Sequence, residues 1–259
     1  MKIGFIGMGN MAQAIAKGFI RSGKVQAQEL SAYAPHQEKL IKNSQAIGFV
    51  PVDTLKKLVA SAELIIVACK PYQIKDVLSE TKDEWNGKAL LSVAAGWNYE
   101  DYYAILGDAV RIQCTMPNTP AMVGEGVFLF EEKNSFREEE HAWVQEIFSA
   151  LGLVKELPTG LMGIGGAVSG CGPAFMDLIM EAYADAAVKY GLPRADAYEL
   201  IAQTMLGSAK LQRETGKHPG VLKDEVCSPA GTTIRGVEAL EYSGLRAACM
   251  DSINAIMNK

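Results

Sequence analysis

The chain has 259 residues, of which 49% are hydrophobic, and its formal net charge is −5 at pH 7. A chain of this length can bury a sizeable core in one large or two modest domains. The sequence has no basic run, no apolar run of the roughly 18 residues that span a bilayer, and no signal-peptide pattern. We therefore expect a cytoplasmic protein that binds neither nucleic acid nor membrane.

Cysteine and histidine usage bears on the compartment and on metal binding. The five cysteines are widely spaced, without a C-x-x-C pair: Cys69, Cys114, Cys171, Cys227 and Cys249. We expect them to be small buried residues in a reducing compartment. The three histidines do not lie at ligand spacing from one another, so the sequence predicts no metal site.

The first half of the chain alternates apolar strands with helices. We predict strands at 2–7, 30–34, 64–68, 89–93, 110–114 and 127–130, and helices at 10–21 and 138–151. The uninterrupted apolar run at 64–68 is typical of a strand that is covered on both faces. This β–α repetition predicts an α/β domain with a doubly wound, mostly parallel sheet over residues 1–158.

The second half of the chain predicts only helices. Segments 173–190 and 193–213 each open with a proline suited to a first helical turn and stop at a glycine, and further helices are predicted at 230–240 and 245–257. We expect an all-α domain over residues 159–259. A helical segment of this size, rich in Ala, Leu and Met, does not bury all its apolar faces alone, so a homodimer through these helices is predicted.

A glycine turn follows the first strand and opens the first helix. Its G-x-G-x-x-A pattern ends at Ala12 and lets a pyrophosphate approach the backbone at a helix N-terminus. The pattern predicts a dinucleotide site; the alternative is a glycine-rich turn with nothing bound. The predicted cofactor-binding residues of the turn are Ile6, Gly7, Met8, Gly9, Asn10 and Met11.

The end of the second strand bears on the choice between NAD and NADP. It reads Ala34-Pro35-His36, without the carboxylate that bonds the ribose 2′-hydroxyl in NAD sites, and also without an arginine. We predict NADPH as the cofactor, with NADH as the alternative. Residues at three later strand ends complete the predicted cofactor site, and these are Ala68, Cys69, Lys70, Pro71, Ala94, Ala95, Gly96 and Asn118. A solvated lysine at a strand exit is the other interpretation of Lys70.

A second motif lies near the end of the chain. There, Ser228-Pro229 and Ala230-Gly231 predict a turn, and two threonines follow where an apolar-periodic segment restarts. This is typical of a helix N-terminus that holds a small anion. The predicted anion-binding residues are Ser228, Gly231, Thr232 and Thr233, and an ordinary threonine N-cap is the alternative.

Together these segments resemble the pyrroline-5-carboxylate reductases nearly from end to end. The resemblance rests on the N-terminal glycine motif and on segments 68–71, 116–120, 169–175 and 218–234, of which the last is the most specific. It implies a Rossmann domain, a helical dimerisation domain, and reduction of 1-pyrroline-5-carboxylate to proline with NAD(P)H. Family members are often dimers, and some are decamers built as pentamers of dimers.

The resemblance also implies roles for the second motif. The carboxylate of a small cyclic imino acid would lie on the N–H groups of Gly231, Thr232 and Thr233, with the hydroxyl of Ser228 as a further donor. Thr233 would be the catalytic residue, because its hydroxyl can hydrogen-bond the imine nitrogen during hydride transfer.

The sequence departs from the family pattern at several positions and leaves two other functions open. Gly166, Cys171 and Glu225 stand where a threonine, a serine and an amide side chain are usual. One alternative is a β-hydroxyacid-dehydrogenase-like oxidoreductase, which needs a lysine near the position of Met176 as an acid–base group. The other is a non-catalytic NADP-binding regulator, which has no need of a second anion site.

Overall fold

The computed structural model of the chain describes residues 1–258. Its strands are β1 (Ile3–Ile6), β2 (Leu30–Tyr33), β3 (Val50–Pro51), β4 (Leu64–Val67), β5 (Ala89–Ser92), β6 (Arg111–Pro117), β7 (Gly126–Glu131) and β8 (Gly152–Leu157). Its helices are α1 (Asn10–Arg21), α2 (Gln37–Ile47), α3 (Leu55–Ser61), α4 (Ile74–Glu80), α5 (Tyr99–Leu106), α6 (Glu138–Ser149), α7 (Thr159–Ser169), α8 (Gly172–Lys189), α9 (Arg194–Thr215), α10 (Pro219–Val226), α11 (Thr232–Tyr242) and α12 (Leu245–Met257). From α7 onward, the regular elements of this range are α-helices.

The strands form one sheet with the order β3-β2-β1-β4-β5-β6-β7-β8. Neighbouring strands run parallel, except for the antiparallel pair of β6 and β7. The first six strands have the order of the dinucleotide-binding Rossmann fold. The predicted fold class, a mostly parallel doubly wound sheet followed by helices, is therefore confirmed.

Alternation along the central strands places side chains on both faces of the sheet. Phe5, Ile66 and Leu91 lie in the core on one face, together with residues of α1 and α6. Ile65 and Leu90 lie in the core on the other face, together with residues of α3, α4 and α5. Because successive side chains of a strand point to opposite faces, a wholly apolar strand needs cover on both sides.

Two strands and six helices of the structure were not predicted. Strand β3 has only two residues, both exposed, and one of them is Pro51. Strand β8 carries Lys155 and Glu156, which break the apolar pattern of a strand. The unpredicted helices are α2, α3, α4, α5, α7 and α10.

Helix α7 lies very close to the sheet. A Cβ atom on Gly166 would lie 2.2 Å from Sδ of Met116, and one on Gly165 would lie 2.6 Å from Cδ1 of Leu157. The resembled family usually has a threonine at position 166. In this chain Met116 fills the space that a threonine side chain would need, and the residue is glycine. Glycines cost a helix about 1 kcal/mol each relative to alanine, so α7 depends on this packing.

Side-chain hydrogen bonds hold both ends of α7. At its start, Thr159 Oγ1 donates to Oε1 of the buried Glu131 (2.6 Å), whose Oε2 accepts from the N–H of Tyr99 (2.8 Å). At its end, Nδ2 of Asn118 donates to the carbonyl oxygen of Ser169 (2.9 Å). One carboxylate thus joins the starts of α5 and α7.

The described chain divides into two compact units, Met1–Pro173 and Ala174–Lys259. The expected division between residues 158 and 159 lies earlier, and the physical reason for the difference is that α7 packs against β6, β7 and β8. The second unit buries few side chains, and Leu178, Leu206 and Met250 are all more than half exposed. Its large apolar side chains are therefore available to another surface.

One helical stretch meets the length and composition of a membrane span. It covers Thr159–Lys189, and an 18-residue window within it has a mean hydropathy of 1.2 and 11% of its residues buried. The sequence analysis expected no membrane span because it found no unbroken apolar run of sufficient length. A mean hydropathy over a window can still be high when the window contains a few charged residues. Helices of cores and of subunit interfaces also pass this test, so it is weak evidence for a membrane.

The cysteines differ from the expectation of buried residues. All five are free, and of these only Cys114 is buried, whereas Cys171 and Cys249 are exposed. Burial, together with the neighbouring Glu131 carboxylate, raises the pKa of the Cys114 thiol well above its ordinary value. The expectation of burial therefore holds for Cys114 of β6 and not for the five cysteines as a set.

The ion pair of Arg111 and Glu140 joins β6 to α6 and gives a testable pH dependence. Nε and Nη2 of Arg111 donate to the two carboxylate oxygens, each over 2.7 Å, and the side chains are only 18% and 12% exposed. Burial raises the pKa of Glu140, but the hydrogen bond from Arg111, the bond from the N–H of Arg137 and the positive charges of both arginines together lower it more, so that it lies below its ordinary value of 4.5.

We expect Glu140→Gln to lower the free energy of unfolding by about 2 kcal/mol at pH 7. The loss should shrink as the pH falls below 4.5, because the unfolded chain then binds the proton of Glu140 before the folded chain does. Urea denaturation at pH 7 and pH 4 measures both values. Glu146→Gln, which removes an exposed ion pair of the same helix, is the control and should cost less than about 1 kcal/mol. A loss at Glu140 that does not change with pH would contradict this assignment.

Candidate functional site

The turn between β1 and α1 requires a glycine at position 7. Gly7 has φ +94°, and a Cβ atom there would lie 2.8 Å from the carbonyl oxygen of Ala68. Its N–H donates to the carbonyl oxygen of Tyr33 (2.8 Å). The ends of β1, β2 and β4 therefore approach one another closely at this edge of the sheet, as at the switch point of a dinucleotide-binding sheet.

The next glycine leaves open space in front of α1. Gly9 caps α1 with an extended backbone, and a Cβ atom built on it would have no heavy atom within 4 Å. The first turn of α1 has no acidic residue and receives no side-chain hydrogen bond at its cap. The first N–H groups of a helix have no intrahelical partner and attract negative charge. The turn therefore fits the pyrophosphate of a dinucleotide.

The side chains in this turn divide between core and surface. Ile6 is 2% exposed and Met8 is 4% exposed, and both belong to the sheet core. Asn10 is exposed and Met11 is half-buried. Ile6 and Met8 therefore remain predicted cofactor-binding residues through their backbone atoms, whereas their side chains belong to the core.

The residues that directly follow β2, numbers 34–36, include no carboxylate. The carbonyl oxygen of Ala34 accepts a hydrogen bond from Nε2 of Gln37 (2.9 Å), and Pro35 and His36 are exposed. Glu29 lies at the opposite end of the strand, where its carboxylate accepts from the N–H of Gln26 (2.8 Å). Residues 34–36 therefore offer no acidic partner for a ribose 2′-hydroxyl.

The residues after β4 pass from half-buried to exposed. Ala68 and Cys69 are half-buried, whereas Lys70 and Pro71 are exposed. Burial raises the pKa of the Cys69 thiol to about 11, so this thiol is uncharged at neutral pH. The chain after β4 therefore has the small neutral side chain of Cys69, followed by the cationic side chain of Lys70.

The residues after β5 also leave room at the same edge. Ala94 is buried, Ala95 and Gly96 are exposed, and Gly96 has φ +79°. A Cβ atom on Gly96 would meet no heavy atom within 4 Å. The structure therefore brings the ends of β1, β2, β4 and β5 to one edge with small residues around the glycine turn.

The side chain of Asn118 bonds to neighbouring backbone groups of the fold, and its amide is not free at the edge of the sheet where β1, β2, β4 and β5 end. Its Oδ1 accepts from the N–H of Val127 (2.8 Å), while its Nδ2 donates to the carbonyl oxygen of Ser169. The amide of Asn118, a predicted cofactor-site residue, is thus used within the fold: the side chain, only 7% exposed, connects β7 to α7. Any contact between Asn118 and a cofactor would come from its backbone.

In the second unit, a tight turn leads into α11. The N–H of Gly231 donates to the carbonyl oxygen of Ser228 (3.0 Å), with Pro229 at the second position and Ala230 at φ +58° at the third. This is a type II turn, which normally has glycine at its third position. Because Ala230 is left-handed and Gly231 is extended, α11 starts at Thr232 and not at residue 230 as predicted.

The start of α11 presents free donors. Its first turn has no acidic residue and receives no side-chain hydrogen bond at the Gly231 cap, so the N–H groups of Thr232 and Thr233 face outward. The N–H of Gly231 is used by the turn, which corrects its predicted role as a donor to an anion. A Cβ atom on Gly231 would lie 2.4 Å from Oγ of Ser228, so the serine hydroxyl lies directly beside the helix start. Both threonine side chains are exposed.

Two further side chains lie near this turn, and one of them, Arg235, was missed by the sequence prediction. Arg235 lies one helical turn after Gly231 and its Nε donates to the Gly231 carbonyl oxygen (3.3 Å). Glu225, which stands where the family usually has an amide, accepts a hydrogen bond from Nζ of Lys217. The spacing of four residues between Gly231 and Arg235 on a predicted helix is the signal that would have placed this cation near the anion site.

Comparisons with known proteins agree with both units. Residues 160–259 match the family model for pyrroline-5-carboxylate reductase dimerisation, and residues 2–96 match the model for F420-dependent NADP oxidoreductases. The chain is 38% identical to a pyrroline-5-carboxylate reductase of Treponema pallidum, with 100% of this chain and 99% of that protein covered. It is 39% identical to the Escherichia coli reductase, with coverage of 100% and 96%. A Plasmodium falciparum pyrroline carboxylate reductase with NADP bound has a TM-score of 0.90 and 30% identity, with coverage of 99% and 95%.

The open space at Gly9 gives a test of the dinucleotide site. We expect Gly9→Ala to fold normally but to raise the Kd for NADPH at least about tenfold, because its methyl group occupies the approach of the pyrophosphate. Titration of the bound nucleotide fluorescence measures Kd, and thermal unfolding checks the fold. The control is Gly207→Ala, at another glycine whose Cβ position is open. Unchanged NADPH affinity in Gly9→Ala would place the nucleotide elsewhere.

Proposed function

The chain belongs to the pyrroline-5-carboxylate reductase family, and we propose how its own residues carry out the family reaction. It reduces 1-pyrroline-5-carboxylate to L-proline by hydride transfer from NAD(P)H, the last step of proline biosynthesis. The end-to-end identity to reductases of that name carries this conclusion. It is an oxidoreductase acting on a carbon–nitrogen double bond.

The first unit supplies the cofactor site. When bound, NAD(P)H supplies the hydride for the imine carbon. The N–H groups at the start of α1 and the open position at Gly9 hold the pyrophosphate. The lack of a carboxylate after β2 favours NADPH over NADH, because an acid there would repel a 2′-phosphate. Ala68, Ala95 and Gly96 leave room for the ribose and nicotinamide.

The second unit supplies the site for the substrate carboxylate. The N–H groups of Thr232 and Thr233 and the hydroxyl of Ser228 are the proposed donors, at a helix end whose partial positive charge favours an anion. Arg235 adds a full positive charge one turn further along. The type II turn at Pro229 and Ala230 fixes these donors relative to one another.

Thr233 is the proposed catalytic residue. Its hydroxyl, at the second position of α11, hydrogen-bonds the imine nitrogen while the carboxylate lies on the neighbouring N–H groups. Hydride transfer is easiest to a protonated iminium carbon, so no strong base is needed beside it. A hydrogen bond to a charged group contributes about 1.5–3 kcal/mol, and this sets the expected size of the Thr233 effect.

The alternative oxidoreductase reaction lacks its lysine in the first turns of α8. A β-hydroxyacid dehydrogenase requires a lysine early in this helix, but the first lysine of α8 is Lys189, at its end. Met176 stands near the required position. The regulator alternative is disfavoured because it leaves the anion site of α11 without a role.

The second unit is also the proposed dimerisation surface. The match of residues 160–259 to a dimerisation model implies that the chain oligomerises, and its exposed large apolar side chains need a partner. We assign a homodimer through α8 to α12, and a decamer of five dimers as the larger assembly. A partner surface would also cover the apolar stretch Thr159–Lys189, so this stretch needs no membrane to explain it. A cytoplasmic location is supported by five cysteines that are all free.

Substitution of Thr233 tests the catalytic assignment. We expect Thr233→Ala to lower kcat/KM by about one to two orders of magnitude, because the bond to the imine nitrogen is lost in the transition state. The Kd for NADPH should not change. Thr233→Ser keeps the hydroxyl and should recover most of the lost activity. Initial rates of NADPH oxidation with pyrroline-5-carboxylate give these values, and wild-type kinetics in Thr233→Ala would remove Thr233 from the mechanism.

Two glycines of the same segment test the geometry of the carboxylate site. We expect Gly231→Ala to raise KM about tenfold or more, because the new methyl group displaces the Ser228 hydroxyl from the helix start. Gly236→Ala is the matched control, since a Cβ atom at Gly236 has no heavy atom within 4 Å. Steady-state kinetics at varied imine concentration compare the two variants. Equal KM values in both would show that the turn does not hold the substrate.

A further inference from the structure

One buried carboxylate, that of Glu131, has no part in the proposed mechanism. Glu131 is the last residue of β7 and is only 1% exposed. A carboxylate is costly to bury unless hydrogen bonds satisfy its oxygens. Here Oε2 accepts from the N–H of Tyr99 (2.8 Å), and Oε1 accepts from the hydroxyl of Thr159 (2.6 Å). Each oxygen therefore holds the first residue of a helix, α5 in one case and α7 in the other.

The bond to Tyr99 fixes the end of the β5–α5 loop, residues 93–98. Near the start of this loop, the N–H of Ala94 donates to Oγ of Ser92 (3.2 Å). The hydroxyl of Ser92 in turn shares a hydrogen bond of 2.8 Å with the hydroxyl of Tyr102, and both side chains are buried. The loop is therefore anchored to buried polar groups at both of its ends.

The middle of the β5–α5 loop is open. Ala95 and Gly96 are exposed, and a Cβ atom built on Gly96 would meet no heavy atom within 4 Å. Among the described residues, neither makes a backbone–backbone hydrogen bond. Their position consequently depends on the two anchors, because they have few contacts of their own. In the proposed cofactor site they leave room for the nicotinamide and its ribose, so the anchors also set the size of that room.

The bond to Thr159 connects the same carboxylate to a rigid support. Helix α7 packs so closely on the sheet that a Cβ atom on Gly166 would lie 2.2 Å from Sδ of Met116. Because a close-packed contact of this kind resists displacement, the first residue of α7 is a fixed point for Glu131. The carboxylate is thus held both by its own strand, which pairs with β6 and β8, and by α7.

We propose that Glu131 is a positioning residue for the nicotinamide half of the bound cofactor. It acts through the β5–α5 loop and contacts neither cofactor nor substrate. By holding the N–H of Tyr99, it keeps Ala95 and Gly96 at the distance from the glycine turn that the nicotinamide and its ribose require. This inference rests on the proposed cofactor site and adds to it a residue from a strand that the dinucleotide motif does not include.

Three substitutions at position 131 separate hydrogen bonding from charge. Glu131→Ala removes both acceptors. Glu131→Asp keeps the charge, but its side chain is one methylene shorter and cannot reach both Tyr99 and Thr159. Glu131→Gln loses the charge, but its amide oxygen can accept from the N–H of Tyr99 while its NH₂ donates to the hydroxyl oxygen of Thr159. We therefore expect the glutamine variant to behave like the wild type and the other two to be impaired.

Affinities for the whole cofactor and for its adenosine half locate the effect. Isothermal titration calorimetry measures Kd for NADPH and for adenosine 2′,5′-bisphosphate, which lacks the nicotinamide. In Glu131→Ala and Glu131→Asp, we expect the Kd for NADPH to rise about fivefold or more, while that for the bisphosphate stays within about twofold of the wild type. Misplacement of the nicotinamide should also lower kcat with pyrroline-5-carboxylate about tenfold. In Glu131→Gln, both Kd values and kcat should stay within about twofold of the wild type.

A buried hydrogen bond elsewhere in the same unit supplies the control. The hydroxyl of the fully buried Thr81 accepts from Nε1 of Trp85 (2.8 Å) and donates to the carbonyl oxygen of Val77 (2.7 Å). Thr81 lies between α4 and β5 in the chain. Thr81→Val should lower the midpoint of thermal unfolding, because a buried hydrogen bond is lost, without changing either Kd or kcat. Circular dichroism checks that every variant is folded.

A purely structural role for Glu131 gives different results. If Glu131→Ala and Glu131→Asp lower the unfolding midpoint as Thr81→Val does but leave the Kd for NADPH unchanged, the inference is wrong. Equal rises in both Kd values would also overturn it, because they would place the effect on the whole nucleotide site. Should Glu131→Ala not fold, the comparison of Glu131→Asp with Glu131→Gln decides.

The wild-type protein distinguishes this inference from the proposed function. A wild-type protein that binds NADPH without reducing the imine overturns the proposed function, and the two Kd values still decide the role of Glu131. A wild-type protein that does not bind NADPH overturns both.

Discussion

The arrangement of unpaired N–H groups at the start of a helix determines both halves of the proposed site. At two other helices such groups are satisfied by side chains: Thr54 accepts from the first turn of α3, and Asn98 accepts from that of α5. Helices α1 and α11 instead begin after Gly9 and Gly231, without a side-chain acceptor at the cap or an acid in the first turn. A negatively charged ligand is the natural partner for each, a pyrophosphate at one and a ring carboxylate at the other.

The sequence predicted the elements whose patterns are local and missed those that depend on tertiary contacts. Helix α1 has the predicted bounds because its apolar residues repeat at helical spacing and a glycine turn precedes it. Helix α7 has four glycines in eleven residues, and nothing in this composition indicates a helix. In the site, the sequence predicted where the glycines lie. It did not predict that the N–H of Gly231 bonds within its own turn, or that the amide of Asn118 bonds to Val127 and Ser169. Those bonds depend on which carbonyl lies nearby.

The two units differ in how their stability is obtained. The sheet unit has helices on both faces and buries its large side chains, including Phe5, Ile15 and Trp85. Among residues 174–258 of the helical unit, the buried apolar residues are only two alanines, Ala184 and Ala197. Burial of apolar area is the main favourable contribution to folding, so this unit gains little of its stability from its own interior. Oligomerisation, which the match of residues 160–259 to a dimerisation model implies, would bury more of its apolar surface.

The glycine-rich composition of α7 has a consequence for the order of folding. An isolated helix of eleven residues is marginal in water even with good helix formers, and each glycine weakens it by about a further 1 kcal/mol. The helix can persist only after Met116 of β6 and Leu157 of β8 are in place to receive it. A nascent or damaged chain with an incomplete sheet would therefore lack α7. The region that matches the dimerisation model begins at residue 160, so its first helix forms only after the sheet of the nucleotide-binding half has formed.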